Sequence, residues 1–303
     1  MPKIKYVDRN FSAASLATIE KANEIITEYQ AQGFVLTLRQ LYYQFVSRAL
    51  IANKVSEYKR LGSVINDARL AGLIDWSAIE DRTRNLQTLP SWSSPANIID
   101  SAAYSFRHDL WKDQDYRIEV WIEKEALAGV FQGVCQELRV PFFCCRGYVS
   151  QSEAWGAAQR LKQWSRGGQK TIILHFGDHD PSGIDMTRDI ADRMEVFGVD
   201  LEEMKRLALN FDQVEQYNPP ANPAKETDSR FQSYMVKYGD ESWELDALEP
   251  QVLADLVRNA VDDFRDADQW EESMEEETRE KKLLQLTSDK WASVETFLSE
   301  EKE

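Results

Sequence analysis

Cysteine and histidine are scarce in this 303-residue chain, three of each. Cys135, Cys144 and Cys145 make neither a disulfide framework nor a Cys-x-x-Cys metal pair, so a reducing, cytoplasmic setting is the simplest expectation. His108 and His175 lack the partner spacing of a zinc site. No apolar run approaches the roughly 18 residues that span a bilayer. The opening MPKIKYVDRN lacks the apolar stretch of a signal peptide. A GxxxxGK[ST] phosphate loop is missing, and no other ATPase signature replaces it. There is no internal repeat. Basic residues are in deficit, 36 Lys and Arg against 52 Asp and Glu, a net charge of −16.

That acidity argues against a nucleic-acid partner, but its distribution weakens the objection. Residues 241–303 carry 20 acids and 7 bases. Residues 33–86 carry 8 bases and 5 acids. A locally basic N-terminal part with a distant acidic tail is compatible with DNA binding. The length suggests about two domains, and 43% hydrophobic residues suffice for a sizeable core.

Residues 12–32 read as a helix closed by Gly33. In TLRQLYYQFVSRAL, Thr37 is a plausible N-cap, and Leu38, Leu41, Tyr42, Phe45 and Val46 recur at helical spacing. SEYKRLGSVINDARLAGL is a third helix, with Leu61, Val64, Ile65 and Ala68 on its apolar face and Gly72 at its end. LIDWSAIEDRTR has short β-like character. Three helices and a short ribbon follow the order of a winged helix-turn-helix, whose third helix would present Tyr58, Lys59, Arg60, Asn66 and Arg69 to DNA. TLPSWSSPAN suits a boundary. From residue 117 strands and helices alternate: RIEVWIEK, VPFFCC, QKTIILHFG and KRLAL as strands, with helices between. Such alternation predicts a parallel sheet covered by helices, with ligands at the carboxyl ends of its strands. Residues 211–235 read as an irregular passage, ESWELDALEPQVLADLVRNAVDDF as helical, and the end as an acidic helical tail. Trp92, Trp111, Trp121, Trp155 and Trp164 are expected in cores or domain contacts.

The chemistry gathers at two strand ends. Glu123 closes the first strand of the sheet, and HFGDHDPSG, residues 175–183, closes the third. Asp178 and Asp180, two apart on extended chain, point the same way while His179 turns aside as turn filler. Hard oxygen ligands of this kind suit Mg²⁺, and three carboxylates in one pocket repel without a cation. The competing reading is plain: an Asp before Pro-Ser-Gly is often a turn residue or a helix cap.

VWIEKEALAGVF and HFGDHDPSG, one strand–helix–strand apart, resemble the Toprim domain, in which the Glu and the Asp-x-Asp bind Mg²⁺. Within that group Asp-x-Asp-Pro-x-Gly is most similar to the topoisomerase VI A-subunit family, which includes the meiotic double-strand-break transesterase. RQLYY, Arg39 to Tyr43, resembles that family's Arg-x-x-Tyr-Tyr. RGYVS and ELDAL resemble its Gly-rich segment and its C-terminal Glu-x-x-Ala-Leu. The likeness spans residues 34 to about 260 and is closest to the compact, stand-alone "mini-A" kind carried by plasmids, phages and other mobile elements.

The resemblance implies an α/β chain with α+β parts: a winged helix over 1–98, a linker over 99–116, a Toprim domain over 117–215 and an extension with an acidic helical tail over 216–303. It implies a Mg²⁺-dependent enzyme that cuts double-stranded DNA as a homodimer, with Tyr43 as nucleophile and the metal acids supplied by the partner subunit. The product would be a 5′-phosphotyrosine link. Arg39, one helical turn from Tyr43, would bind the scissile phosphate and favour the phenolate. Tyr42 would pack inward and leave Tyr43 more exposed. Lys124, Lys59, Arg60, Arg69 and Arg146 would meet DNA. A separate ATPase partner subunit is an open expectation, a membrane is not expected, and the setting would be the nucleoid or a host cytoplasm. Three other readings compete: a Toprim nuclease using water, a haloacid-dehalogenase-like phosphatase with Asp178 as nucleophile, and a non-catalytic DNA-binding protein.

Overall fold

The computed structural model describes residues 3–79 and 89–300. It is a mixed α/β protein, with a four-stranded parallel sheet and twelve α-helices among the described residues. Contacts divide the chain into two compact units, Met1–Thr83 with Arg117–Asp263, and Arg84–Tyr116 with Phe264–Glu303. No helix among the described residues is long and apolar enough to cross a membrane.

The first unit opens with α1 (Ala13–Ala31), α2 (Leu38–Ser47) and α3 (Val55–Leu70). Their starts follow from side chains that satisfy the first amides. Ser12 Oγ accepts from the Ser15 amide at 3.2 Å. Thr37 and Gln40 form a reciprocal capping box, with the Thr37 amide donating to Gln40 Oε1 at 2.9 Å. Helix α3 ends at Gly72, whose φ of +73° suits glycine, and a side chain there would also strike Lys5. Ile19, Ile25, Tyr29, Leu41, Tyr42, Phe45, Leu61 and Ile65 form one core from the three helices. Residues 73–79, expected to begin a β-ribbon, instead form turns and a single bridge of Ile79 with Leu36, while just before them Ala71 bridges Lys5. The ribbon's expected remainder, 80–84, lies outside the described residues. Helix α4 (Pro95–Ser105) belongs to the second unit.

The sheet holds β1 (Tyr116–Ile122), β2 (Phe142–Cys144), β3 (Lys170–Phe176) and β4 (Leu201–Ala208), in the order β2-β1-β3-β4. Strand β3 is buried along nearly its whole length, as a strand covered on both faces must be. The connecting helices are α5 (Ala128–Glu137), α6 (Gln151–Arg166) and α7 (Pro181–Val196). On one face Ala154, Ala158, Leu161, Ile190 and Met194 pack against Trp121 and Ile173. Phe131 of α5 meets Phe176 with ring centroids 4.7 Å apart.

Beyond β4 the expected irregular passage is structured. It contains α8 (Phe211–Tyr217), β5 (Ala221–Pro223) and α9 (Phe231–Tyr238). These elements are too short for periodicity to reveal. The helix expected from residue 241 starts late: β6 (Glu241–Trp243) pairs antiparallel with β5, a 3-10 turn covers Leu245–Ala247, and α10 (Pro250–Asp262) follows. Of the five tryptophans expected in cores or domain contacts, Trp111 and Trp121 are fully buried and Trp164 is half-buried, while Trp92 and Trp155 are exposed, contrary to expectation.

The second unit packs α4 against α11 (Ala267–Asp289), followed by α12 (Trp291–Glu300). Within it the Glu277 carboxylate is buried and accepts from the His108 amide at 2.8 Å. His108 Nε2 lies 2.6 Å from Glu280, and the Trp111 and Trp270 rings meet edge to face. The acidic run at the end is thus partly committed to packing rather than wholly solvated.

Candidate functional site

Two neighbouring strand ends build the site. The Glu123 amide donates to the Phe176 carbonyl at 2.8 Å, so the residues just past β1 and β3 are held side by side. Glu123 Oε2 accepts from the Asp178 amide, also at 2.8 Å. Gly177 keeps this approach open, since a side chain there would come within 3.0 Å of Glu123 Oε2. Asp180 caps α7, its Oδ1 accepting from the Gly183 amide at 2.6 Å.

A third segment crosses these ends. His179 and Trp243 exchange two backbone hydrogen bonds, at 2.8 and 3.0 Å, and this single bridge draws residues 244–246 over the acidic loop. Asp178 Oδ1 then accepts from the Leu245 amide at 2.7 Å. The side chain of His179 turns to the other side. Expected as turn filler, it is buried among Phe211, Tyr234, Tyr238 and Trp243, with Nδ1 2.7 Å from the Tyr234 hydroxyl. Alternation along an extended segment produces this division of labour.

Lys124 is the hub. Its ammonium pairs with Asp178 at 2.7 Å, with Asp246 at 3.3 Å and with Glu244. Arg39 completes the network from α2, with Nε 2.7 Å from Asp246 and Nη2 2.8 Å from Glu244. The Arg39 guanidinium also lies 5.8 Å from the centre of the Tyr43 ring. Arg39, Tyr43, Lys124 and Asp178 are therefore joined within one chain.

Several expectations need correction. Tyr43 is not the more exposed of the pair: Tyr42 and Tyr43 are both buried, at 4% and 5% exposure. The segment of residues 244–246, docked onto α2 through Arg39, helps cover the face that helical spacing alone would leave open. Lys124 is directed at carboxylates rather than at open solvent, with 17% of its side chain exposed. Arg69 folds onto Trp76, donating to its carbonyl at 2.6 Å and lying 4.8 Å from its ring centre. Lys59 and Arg60 are exposed on α3, Arg60 paired with Glu57 at 2.8 Å. Arg146 is exposed and pairs with Glu125 at 2.5 Å. None of these last three joins the Lys124 network.

Asp246 and Arg206 were not singled out from the sequence. Asp246 is the buried carboxylate between the two cations. Arg206, on β4, donates to the carbonyls of Gly177 at 2.9 Å, Asp178 at 2.6 Å and Gly183 at 2.8 Å. It thus staples the acidic loop from beneath. No spacing rule marks an arginine in a strand as the support of a distant loop. Asp246 did carry a signal, its place two residues after Glu244 in ELDAL.

Five carboxylates, Glu123, Asp178, Asp180, Glu244 and Asp246, share the region with three cations, Lys124, Arg39 and Arg206. The surplus appears in the proton affinities. Burial, and then Glu123, Glu244 and Asp246, push the Asp178 carboxyl up to about 8 against the pull of Lys124. Burial and Asp180 raise Glu123 as well. Tyr43 is pushed up to about 12, by burial first and then by Asp246 and Glu244, which outweigh Arg39 and Lys124. Arg39 does pull the Tyr43 phenol toward the phenolate, as expected, but burial together with Asp246 and Glu244 outweighs it in this arrangement.

The donor chemistry of Glu123, Asp178 and Asp180 fits a hard divalent cation. Each has one oxygen engaged and the other without a hydrogen bond among the described residues. As arranged, no three such side chains among the described residues converge to hold an ion. Compared with protein-family models and with curated proteins, the chain matches none.

Proposed function

We propose that the protein is a Mg²⁺-dependent DNA-cleaving enzyme acting by tyrosine transesterification, built as a winged helix plus a Toprim domain and resembling the topoisomerase VI A subunit. The observation that carries this reading is the network that joins Arg39 and Tyr43 to Lys124 and Asp178 at the ends of two parallel strands. Such strand ends are where open α/β sheets bind ligands.

In this mechanism a backbone phosphate takes Arg39 from Glu244 and Asp246, with two parallel hydrogen bonds. Freed from those acids, the guanidinium lowers the proton affinity of Tyr43. The phenol oxygen then attacks phosphorus as its proton leaves to solvent. The P–O3′ bond breaks, and the departing 3′-oxygen takes up a proton. A 5′-phosphotyrosine remains, so resealing needs no ATP. Glu123, Asp178 and Asp180 would hold Mg²⁺, which supplies charge neutralisation at the phosphoryl oxygens. Lys124, beside Asp178, would contact a neighbouring phosphate.

A second reading, a nuclease using water, draws support from the buried Tyr43 and its raised proton affinity. One experiment separates the two. Wild type, Tyr43→Phe and Glu123→Ala are incubated with supercoiled DNA and Mg²⁺, stopped with detergent and run with and without protease. Transesterification predicts protein-linked breaks from wild type alone. Cutting by Tyr43→Phe at the wild-type rate, without an adduct, would establish the water mechanism. DNA binding indifferent to EDTA, with no cutting by any form, would leave a non-catalytic DNA-binding protein. Mixing the two variants tests whether the site is built between subunits: activity returns only where one subunit's Tyr43 works with the partner's Glu123, and no rescue leaves the site within one chain.

A further inference from the structure

A cavity of about 480 Å³ opens against Tyr43, lined by Tyr42, Tyr58, Asn53, Lys54 and Asn222 among others. It contains three tyrosine rings in edge contact, Tyr42 with Tyr43 at 5.2 Å and Tyr42 with Tyr58 at 5.3 Å between centroids. Its polar groups divide into committed and uncommitted. The Tyr42 hydroxyl donates to Asn53 Oδ1 at 3.0 Å, and Asn53 Nδ2 donates to Asn222 Oδ1 at 2.6 Å. These bonds fix the wall and leave Asn222 Nδ2 as a donor. The Tyr43 hydroxyl, on a side chain at 5% exposure, meets no hydrogen-bond partner among the described residues. Nor does the Lys54 ammonium, at the start of α3, have an ion-pair partner there.

Flat rings favour a flat, polarisable ligand. The unpaired Lys54 ammonium favours an anion beside it, while Arg39, also in the lining, is held by Glu244 and Asp246 and meets an anion only when released from them. A free amide donor favours a carbonyl or ring-nitrogen edge. One chemical class meets all three conditions.

We propose that this cavity is a nucleotide pocket, which takes a single unpaired base and its phosphate from the strand that Tyr43 attacks. The inference rests on the DNA reading above and deepens it. An unpaired base seated among Tyr42, Tyr43 and Tyr58 sets the neighbouring phosphate beside the Tyr43 hydroxyl. The pocket thereby selects DNA that is already distorted, or that can release a base cheaply.

The test is the binding of the full chain, in EDTA, to two labelled duplexes by fluorescence anisotropy. One duplex is fully paired and the other carries a one-nucleotide bulge. Stacking of one base predicts a preference of roughly tenfold for the bulged duplex. Val55 is 72% exposed at the mouth of the cavity, so Val55→Trp narrows it without disturbing the core. In Val55→Trp and in Asn53→Ala the ratio of the two affinities should fall toward one. Equal affinity of wild type for both duplexes overturns the pocket and leaves DNA binding intact. A preference undiminished in both variants also overturns it, since the bulge is then read elsewhere. Failure of wild type to bind either duplex, in EDTA and again with Ca²⁺ in its place, removes the DNA reading and the pocket together.

Discussion

Lys124 and Tyr43 lie in one network but differ sharply in what they hold together. The Lys124 ammonium answers Asp178, Glu244 and Asp246 at once. Removing it leaves buried carboxylates uncompensated, a defect that costs about 3–5 kcal/mol in general. Lys124→Met should therefore lower the urea midpoint substantially. The Tyr43 hydroxyl has no partner among the described residues to lose. Tyr43→Phe should accordingly change stability by less than about 1 kcal/mol, the net worth of an ordinary hydrogen bond. A Tyr43→Phe protein that unfolds would show that the hydroxyl is structural. His175 adds a pH dependence. It is fully buried, with Nδ1 2.8 Å from Thr187 Oγ1, and burial, then Arg206, hold it down to about 3. Its proton affinity in the folded state lies below the unfolded value near 6.5, so the unfolded chain takes up the proton first. Its contribution to stability is complete above pH 6.5 and lost as pH falls toward 3, at about 1.4 kcal/mol per pH unit. Because the raised Asp178 and Glu123 carboxyls act in the opposite sense over the same range, the His175 share is read from the gap between the wild-type and His175→Gln urea midpoints, which should change between pH 7.5 and 4.5 in favour of the variant at the lower pH.

At the scale of elements, the acidic loop is set by the start of α7. Asp180 caps the helix through the Gly183 amide, and Pro181 enters at a position where a missing N–H costs nothing. Gly183 is required for a different reason from most turn glycines. A Cβ there would run into the Asp178 carbonyl, which Arg206 also holds. Gly183→Ala must therefore push the loop off Arg206 or move α7. We expect a loss of about 1–3 kcal/mol, as for overpacking in general, and, under the proposed function, loss of DNA cleavage beyond what unfolding explains. The check is cleavage measured well below the variant's melting temperature. Activity at the wild-type level there would mean that the position of Asp178 does not matter to the chemistry.

At the scale of the whole molecule, the second unit is assembled from two distant stretches, one before β1 and one after α10. Helix α4 finds its main partner in α11, with Gln285 reaching Asp100 at 2.9 Å and Ser288 reaching the Ala96 carbonyl at 2.9 Å. An 11-residue helix is too short to persist alone in water. Truncation after Asp263 should therefore abolish hydrogen-exchange protection across Pro95–Ser105 while leaving β3 protected. Protection of α4 that survives the truncation would show that α11 is not what stabilises it.

Much of this was legible in the chain because it follows from local rules. Thr37 before α2 and Asp180 before α7 mark helix starts by their own chemistry. The apolar runs of β1 and β3, separated by helices, determine a parallel sheet, and with it the place where Glu123 and Asp178 emerge. Periodicity also put Arg39 and Tyr43 one turn apart on α2, but it could not decide their surroundings. A helix face is open or closed according to what else packs on it, and here that is a segment about 200 residues further along. The single bridge between His179 and Trp243 brings Glu244 and Asp246 onto Lys124 and Arg39. Sequence alone thus determined which charged groups stand at the strand ends. Only the tertiary structure decided which of them neutralise one another, because Coulomb energy and desolvation depend on distance and burial in space and not on separation along the chain.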